Sequence, residues 1–347
     1  MIEQPNPPIL IFRLGSLGDA VIALPCFHKV FNSFGDRRKI LLSNISISNL
    51  AISMDKLLLP AKLVDSSIEY PIGIRSVREI FNLRKKIITT GADTLIYLVS
   101  SRSIWQVYRD IFFFRLCGIR RIIGAPLTED LLNCRVDPFT GSVEPEVERL
   151  TRTLSSLGSI DLANPIYWDL CLTSEEINTA AHFFDQIEGS KFIAINMGGK
   201  DPSKDWGINN WSELITRVGS EYPSLALVAV GANADFNRAN VLLSLWPSKT
   251  LNLCGILTAR ECASFLSKAI LFIGHDSGPL HLAASVQVSC IGLFGSFNLP
   301  RRWHPYGVKN IVIHEIKGIH NIRINQVIDS IYSILIKITS SPSANKQ

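Results

Sequence analysis

Residues 271–286 read LFIGHDSGPLHLAASV. The apolar run 271–274 breaks off at His275-Asp276-Ser277, and from Gly278 onward the pattern is that of a helix. A strand-length apolar run delivering straight into a helix start is the joint of a βα unit, and parallel sheets are assembled from such units. Working outward, the same alternation recurs. ILIF (9–12), KILLS (39–43), TLIYLV (94–99) and RIIGA (121–125) predict one strand series. KFIAINM (191–197), LALVAV (225–230), TLNLCG (250–255), AILFIG (269–274) and SCIGLFG (289–295) predict a second. Helical patterns fill the gaps at 75–90, 103–117, 146–158, 174–187, 210–221, 235–246, 259–268 and 323–338. The expected fold is α/β with two doubly wound parallel-sheet domains, because strands alternating with helices need both sheet faces covered. The join is placed after Pro165, giving domains 1–173 and 174–340 and a disordered tail 341–347. The last helix either completes the second domain or crosses back to the first.

Bulk properties narrow the classes. At 347 residues the chain exceeds one ordinary core. A net charge of +5 is too mild to call for nucleic acid. No run reaches the roughly 18 apolar residues of a membrane span, and the N-terminus lacks the pattern of a signal peptide. Cysteines 26, 117, 134, 171, 254, 262 and 290 are odd in number and contain no C-x-x-C pair. Buried free thiols are expected, with neither a disulfide framework nor a structural zinc site.

Ligands of open parallel sheets sit beyond the strands' carboxyl ends, which directs attention to three turns. The first is Arg13-Leu14-Gly15-Ser16-Leu17-Gly18-Asp19. Its Gly-x-x-Gly spacing is neither a dinucleotide fingerprint nor a P-loop. Glycines there permit positive φ and close approach of a ligand. Asp19 falls where an N-cap is expected, and a carboxylate there can also serve as a general base. The two roles pull against each other, because amide hydrogen bonds lower a carboxylate's basicity; both stay open. The second turn, Gly198-Gly199 followed by Lys200 and Lys204, suits a phosphate group, unless the lysines are merely solvated. Trp206 and Trp211 are expected to pack this loop down, and Asn209 or Asn210 to cap the next helix. In the third turn Asp276 or Ser277 can cap, Gly278 allows close approach and Pro279 fits a first helical turn. Such a helix N-terminus favours an anion, within reach of His281. A triad of consecutive His275, Asp276 and Ser277 is rejected, since neighbours in sequence cannot converge. A metal site from His275, Asp276 and His281 matches no standard spacing.

Taken in order, RLGSLGDAVIALP, KDWGINNW, and DSGPLHLAAS followed by GLFGSFNLPRRWHPYG resemble glycosyltransferase family 9, the heptosyltransferases of bacterial lipopolysaccharide synthesis. The resemblance implies the GT-B architecture, two doubly wound Rossmann-like domains facing across a cleft. It implies an inverting, metal-independent transfer without cofactor, from a nucleotide-diphosphate sugar, commonly ADP-heptose, bound by the second domain. The acceptor it implies is an acidic lipid-linked saccharide bound by the first domain. Carried over by position, Asp19 matches the catalytic base and Lys204 a donor-phosphate lysine. Asp276, Ser277, Gly278 and His281 match the donor-binding turn, and Arg13, Gly15 and Gly18 the cleft loop. No metal and no nucleic acid are expected. The implied setting is cytoplasmic, with peripheral contact at the inner membrane's cytoplasmic face. Rival readings are a nucleotide-sugar epimerase or hydrolase on the same fold, and a non-catalytic nucleotide-sugar-binding protein.

The chain departs from the family at Ser296-Phe297-Asn298-Leu299-Pro300, where a Thr/Ser-Asp/Glu-Pro loop is frequent. Glu261 is the candidate for the family's ribose-binding acid. Arg75, Arg78, Arg84, Lys85, Lys86, Arg102 and Arg109 supply cations for an acidic acceptor, about two or three as ligands and the rest solvated. WQVYRDIFFFRLCGIRR (105–121) mixes aromatic and basic residues that suit a membrane surface; a packed helix with phenylalanines 112–114 turned mostly to the core is the favoured reading.

Overall fold

The computed structural model describes residues 6–45, 52–73, 76–199 and 201–340. The chain divides into two compact units, with the boundary between Cys171 and Leu172. Lys200, Arg75 and the tail 341–347 lie outside the described residues.

The first unit holds strands β1 (Ile9–Phe12), β2 (Lys39–Asn44), β3 (Ser66–Tyr70), β4 (Thr94–Tyr97) and β5 (Arg121–Ile123). All are parallel, in the order β3-β2-β1-β4-β5. Its helices are α1 (Leu17–Ile22), α2 (Leu24–Phe34), α3 (Asp55–Leu58), α4 (Val77–Thr89), α5 (Ile104–Leu116), α6 (Glu129–Leu132) and α7 (Glu146–Thr153). The chain runs from β1 outward to β3 and then returns to β4, so the order reverses between β1 and β4. One face of this sheet offers Leu10, Phe12, Leu95 and Tyr97 to Leu83 and Ile87 of α4 and Phe114 of α5.

The second unit opens with α8 (Ser174–Asp185) and builds a parallel sheet from β6 (Phe192–Asn196), β7 (Ala226–Ala229), β8 (Thr250–Asn252), β9 (Leu271–His275), β10 (Cys290–Phe294) and β11 (Ile311–His314). The order is β11-β10-β9-β6-β7-β8, reversing between β6 and β9. Between and after the strands lie α9 (Ile208–Glu221), α10 (Phe236–Leu243), α11 (Ala259–Leu266), α12 (Gly278–Ser285) and α13 (Ile324–Ser340). Strand side chains alternate between faces. Ile193, Ile195 and Ile273 therefore join one core with α9, α10 and α13, while Phe192, Ala194 and Phe272 join another with α8, α11 and α12. The described part of α13 thus completes the second unit's own core.

Several expectations change. Strands β3 and β11 escaped the sequence reading; both are half-buried edge strands. Of the seven free cysteines, Cys171 is exposed and Cys134 half-buried, the others being buried. Phe112 on α5 points outward, 65% exposed, while Phe114 is buried at 2%. Among the described residues no helix is long and apolar enough to cross a membrane.

Candidate functional site

In the first unit, the turn after β1 lies beside the reversal between β1 and β4. The helix begins earlier than expected: Ser16 is the N-cap residue and Asp19 occupies the third helical position. Asp19 therefore does not cap from the N-cap position. Its carboxylate reaches back, Oδ2 accepting the Ser16 amide at 2.8 Å, the capping-box geometry. Of the two glycines only Gly15 takes a positive φ, at 128°; Gly18 is inside α1. A Cβ at position 15 would lie 2.2 Å from the Asp19 Cγ, so the carboxylate occupies the space that glycine leaves. Asn44, at the end of β2, accepts the Gly15 amide at 2.7 Å and fixes the turn from the other side.

Arg13 is fully buried. Its guanidinium donates to the Leu98 carbonyl at 2.8 Å and the Asp19 carbonyl at 3.0 Å, with the Asp19 carboxylate 3.8 Å away. Burial pulls its pKa below the ordinary arginine value, opposed by the charges of Asp19 and Glu146. A second buried guanidinium holds the next carbonyl: Arg149 donates to Val99 at 2.9 Å and to Leu131 at 3.0 Å. Its counter-charge is Glu146, one turn away on α7 and equally buried, with Nε to Oε2 at 3.1 Å. Two inaccessible arginines thus hold the consecutive carbonyls at the end of β4, which would otherwise be buried without a partner. Close by, a cavity of about 640 Å³ opens beyond β4 and β5, lined by Ser101, Arg102, Ser103, Glu129 and Asn133 among others.

In the second unit, two turns meet at the reversal between β6 and β9, where open sheets receive ligands. Lys204, from the loop after β6, places Nζ 2.6 Å from the Asp276 Oδ2, from the turn after β9. The loop that departs from the family pattern clamps this pair. Asn298 Nδ2 donates to the same Asp276 oxygen at 2.6 Å, and the Phe297 ring lies 4.1 Å from the Lys204 ammonium, in cation–π range.

Ser277 is the N-cap residue of α12 but gives no side-chain cap. Its hydroxyl instead donates to Asn196 Oδ1 at 2.8 Å and to the His275 carbonyl at 3.1 Å. Gly278 and Pro279 form the first helical positions, and His281 lies buried in the first turn. The helix start beside Lys204 therefore keeps first-turn amides that no Ser277 side chain takes up.

His275 is buried beneath this turn and is structural. Its Nε2 accepts from the Trp206 amide at 3.3 Å and the Trp211 indole at 3.2 Å. Accepting two N–H groups requires a neutral ring, and burial holds its pKa down to about 4. Both tryptophans are buried and pin the Lys204 loop, Trp206 also donating to the Ile322 carbonyl at 2.9 Å. Neither predicted asparagine caps α9: Gly207 is its N-cap residue, and Asn210 donates to the Trp206 carbonyl at 2.6 Å. Glu261 is committed to the capping box of α11, accepting the Thr258 amide at 2.8 Å.

The candidate acceptor cations separate in the same way. Arg102 and Arg109 both bond Asp110, and Arg84 donates to the Leu116 carbonyl. Among the described residues no group of three or more His, Cys, Asp and Glu is arranged to hold a metal ion. Sequence reading missed Asn44 and Asn196; it singled out the loop bearing Phe297 and Asn298 but not their contacts with Lys204 and Asp276. It also missed Glu146 and Arg149, whose i,i+3 spacing on a predicted helix was the available signal.

The sequence pattern of glycosyltransferase family 9 (heptosyltransferase) matches residues 131–329. A lipopolysaccharide core heptosyltransferase of Haemophilus influenzae is 24% identical over 146 residues, a match spanning 42% of this chain and 41% of that relative. The solved structure of a family 9 glycosyl transferase from Veillonella parvula superposes with a TM-score of 0.71 at 18% identity, covering 97% of this chain and 99% of the other. The E. coli ADP-heptose lps heptosyltransferase II gives a TM-score of 0.66 at 17% identity, over 96% and 100%. These likenesses establish a shared GT-B fold. With the matched pattern running through more than half of its length, the chain belongs to glycosyltransferase family 9, the heptosyltransferase family.

Proposed function

We propose that this protein is an inverting glycosyltransferase that moves a sugar, heptose from ADP-heptose, to an acidic lipid-linked saccharide of the lipopolysaccharide core. The observation that carries the reading is the Lys204–Asp276 pair, set beside the start of α12 at the second sheet's order reversal. As the bond from the anomeric carbon to the diphosphate breaks, negative charge grows on the leaving group. A tethered ammonium and free helix amides oriented beforehand stabilise that charge where it develops. In this reading Asp276 tethers Lys204, Ser277 leaves the amides open by spending its hydroxyl on Asn196, and Gly278 and His281 complete the turn.

Asp19 is assigned the general base. Its two oxygens divide the work: Oδ2 holds the Ser16 amide, and Oδ1, 3.8 Å from the buried Arg13 guanidinium, is assigned the proton from the acceptor hydroxyl. The side chain remains 24% exposed, so it is reachable. That hydroxyl oxygen then attacks the anomeric carbon from the face opposite the diphosphate, inverting its configuration. The cavity beyond β4 and β5, lined by polar residues such as Ser101, Arg102 and Asn133 together with Ile104, Leu127 and Leu132, is assigned to the acceptor saccharide. A lipid-linked acceptor brings the protein to a membrane surface as a peripheral rather than a spanning one. The names of its relatives, including a lipopolysaccharide core heptosyltransferase and an ADP-heptose-using enzyme, support the choice of substrates.

Calorimetric titration with ADP-heptose tests the donor site. Hydrogen bonds to charged groups are worth about 1.5–3 kcal/mol, so Lys204→Ala is expected to weaken binding roughly 10- to 150-fold. Unchanged affinity in that variant would remove Lys204 from the site.

A further inference from the structure

Helices α4 and α5 cover one face of the first sheet with their inner edges and leave a broad apolar face outside. On α5, Trp105, Tyr108, Phe112 and Leu116 are exposed by 79, 52, 65 and 50%. Their spacing of three, four and four residues aligns them in one stripe along the helix. Arg84 of α4 donates to the Leu116 carbonyl at 3.0 Å, bringing α4 alongside, and Val77 and Phe81 on α4 are exposed as well.

The rim of this face is cationic. The two helices carry Arg78, Arg84, Lys85, Lys86, Arg109 and Arg115 against Glu79 and Asp110, a net +4 within a chain of net +5. Asp110 is buried and already bonded by Arg102 and Arg109, so it offsets little of the outward charge.

Contiguous exposed apolar surface of this kind marks an interaction site. Large aromatics bordered by arginine and lysine are the composition of helices that lie in the plane of a bilayer interface. There Trp and Tyr bury their rings while keeping a polar edge wet, and the cations meet anionic headgroups. A second copy of the chain fits less well. A two-fold contact sets the same patch against itself and would oppose two cationic rims.

We propose that the outer face of α4 and α5 docks the first unit onto an anionic bilayer surface, with the α5 aromatics inserted at headgroup depth. The proposal extends the lipid-linked acceptor reading, but vesicle binding needs neither donor nor turnover, so either can fail without the other. The test is co-sedimentation of the full chain with vesicles of phosphatidylcholine alone or mixed with phosphatidylglycerol, across a salt series. The wild type is compared with Trp105→Ser/Phe112→Ser and with Lys85→Glu/Lys86→Glu, all at exposed positions, and melting curves check folding.

The expected result is binding to the anionic vesicles that weakens with salt and falls at least tenfold in both variants. Transfer to a water-soluble, deacylated acceptor should be unchanged in the Trp105→Ser/Phe112→Ser variant. Wild type that ignores both vesicle types, or variants that bind as the wild type does, would overturn the proposal. So would a concentration-dependent dimer in sedimentation velocity that the aromatic variant dissociates, which would assign the face to self-association.

Discussion

Glu146→Gln deletes the counter-charge of a guanidinium that has no route to water, since both side chains of the Glu146–Arg149 pair are fully buried. Arg149 would keep its carbonyl partners Leu131 and Val99 but lose its charge-assisted bonds to the carboxylate. Removing one member of a buried pair costs about 3–5 kcal/mol. For a unit of this size, roughly 2–4 °C of melting temperature per kcal/mol translates that into a fall of roughly 6–20 °C. Differential scanning calorimetry of the full chain, following the transition that moves, gives the number directly. The double variant Glu146→Leu/Arg149→Met removes both charges and should recover most of the loss, because apolar replacements often match a buried pair. A single variant costing under about 1 kcal/mol, the value of an exposed pair, would refute the reasoning. So would a double variant that loses the sum of both singles.

Three further outcomes are expected. His275 has a folded pKa of about 4 against an ordinary 6.5, so between those values the unfolded chain binds a proton that the folded chain refuses. Stability contributed by His275 is therefore full above pH 6.5 and falls as pH drops toward 4; urea midpoints across that window should fall less steeply in His275→Gln, with His304, also held near 4, and His314, also lowered by burial, contributing to the remaining slope. Gly15→Ala forces an alanine to a φ of 128° and drives its Cβ into the Asp19 carboxylate; a stability loss of about 1–3 kcal/mol is expected, with activity lost alongside, and a neutral substitution would contradict the packing described. Asn298→Ala removes one of two donors to the Asp276 oxygen; at about 1 kcal/mol for one hydrogen bond, donor KM should rise roughly fivefold with kcat little changed, and a lower kcat at constant KM would place Asn298 in the chemistry instead.

What the sequence disclosed divides along physical lines. Central strands such as FIAIN (192–196) and LFIGH (271–275) are buried on both faces and read as unbroken apolar runs, so they were legible. SSIEY (66–70) is a half-buried edge strand whose polar residues hide it. The turns bearing Asp19 and Asp276 were legible because strand, glycine and helix start follow one another in the chain. Helix starts were less so. Asp19 looks like an N-cap until Ser16 is seen to hold that place, and Asn210 looks like a cap until Gly207 is found there. Partners distant in sequence stayed hidden: nothing near Lys204 announces Asn298, and nothing near Ser277 announces Asn196. Phe112 and Phe114 are indistinguishable in composition, yet only the helical phase decides that one meets solvent and the other the core.

The most direct test of the proposed chemistry is acceptor-dependent release of nucleoside diphosphate from ADP-heptose by the wild type and Asp19→Asn. The amide keeps an oxygen for the Ser16 N–H but cannot take a proton, so the turn survives while the base is lost. The predicted result is release that requires the acceptor and falls by about 10²–10⁴ in the variant, with donor affinity retained. Transfer at the wild-type rate in Asp19→Asn would leave Asp19 a capping residue and contradict its assignment as the base.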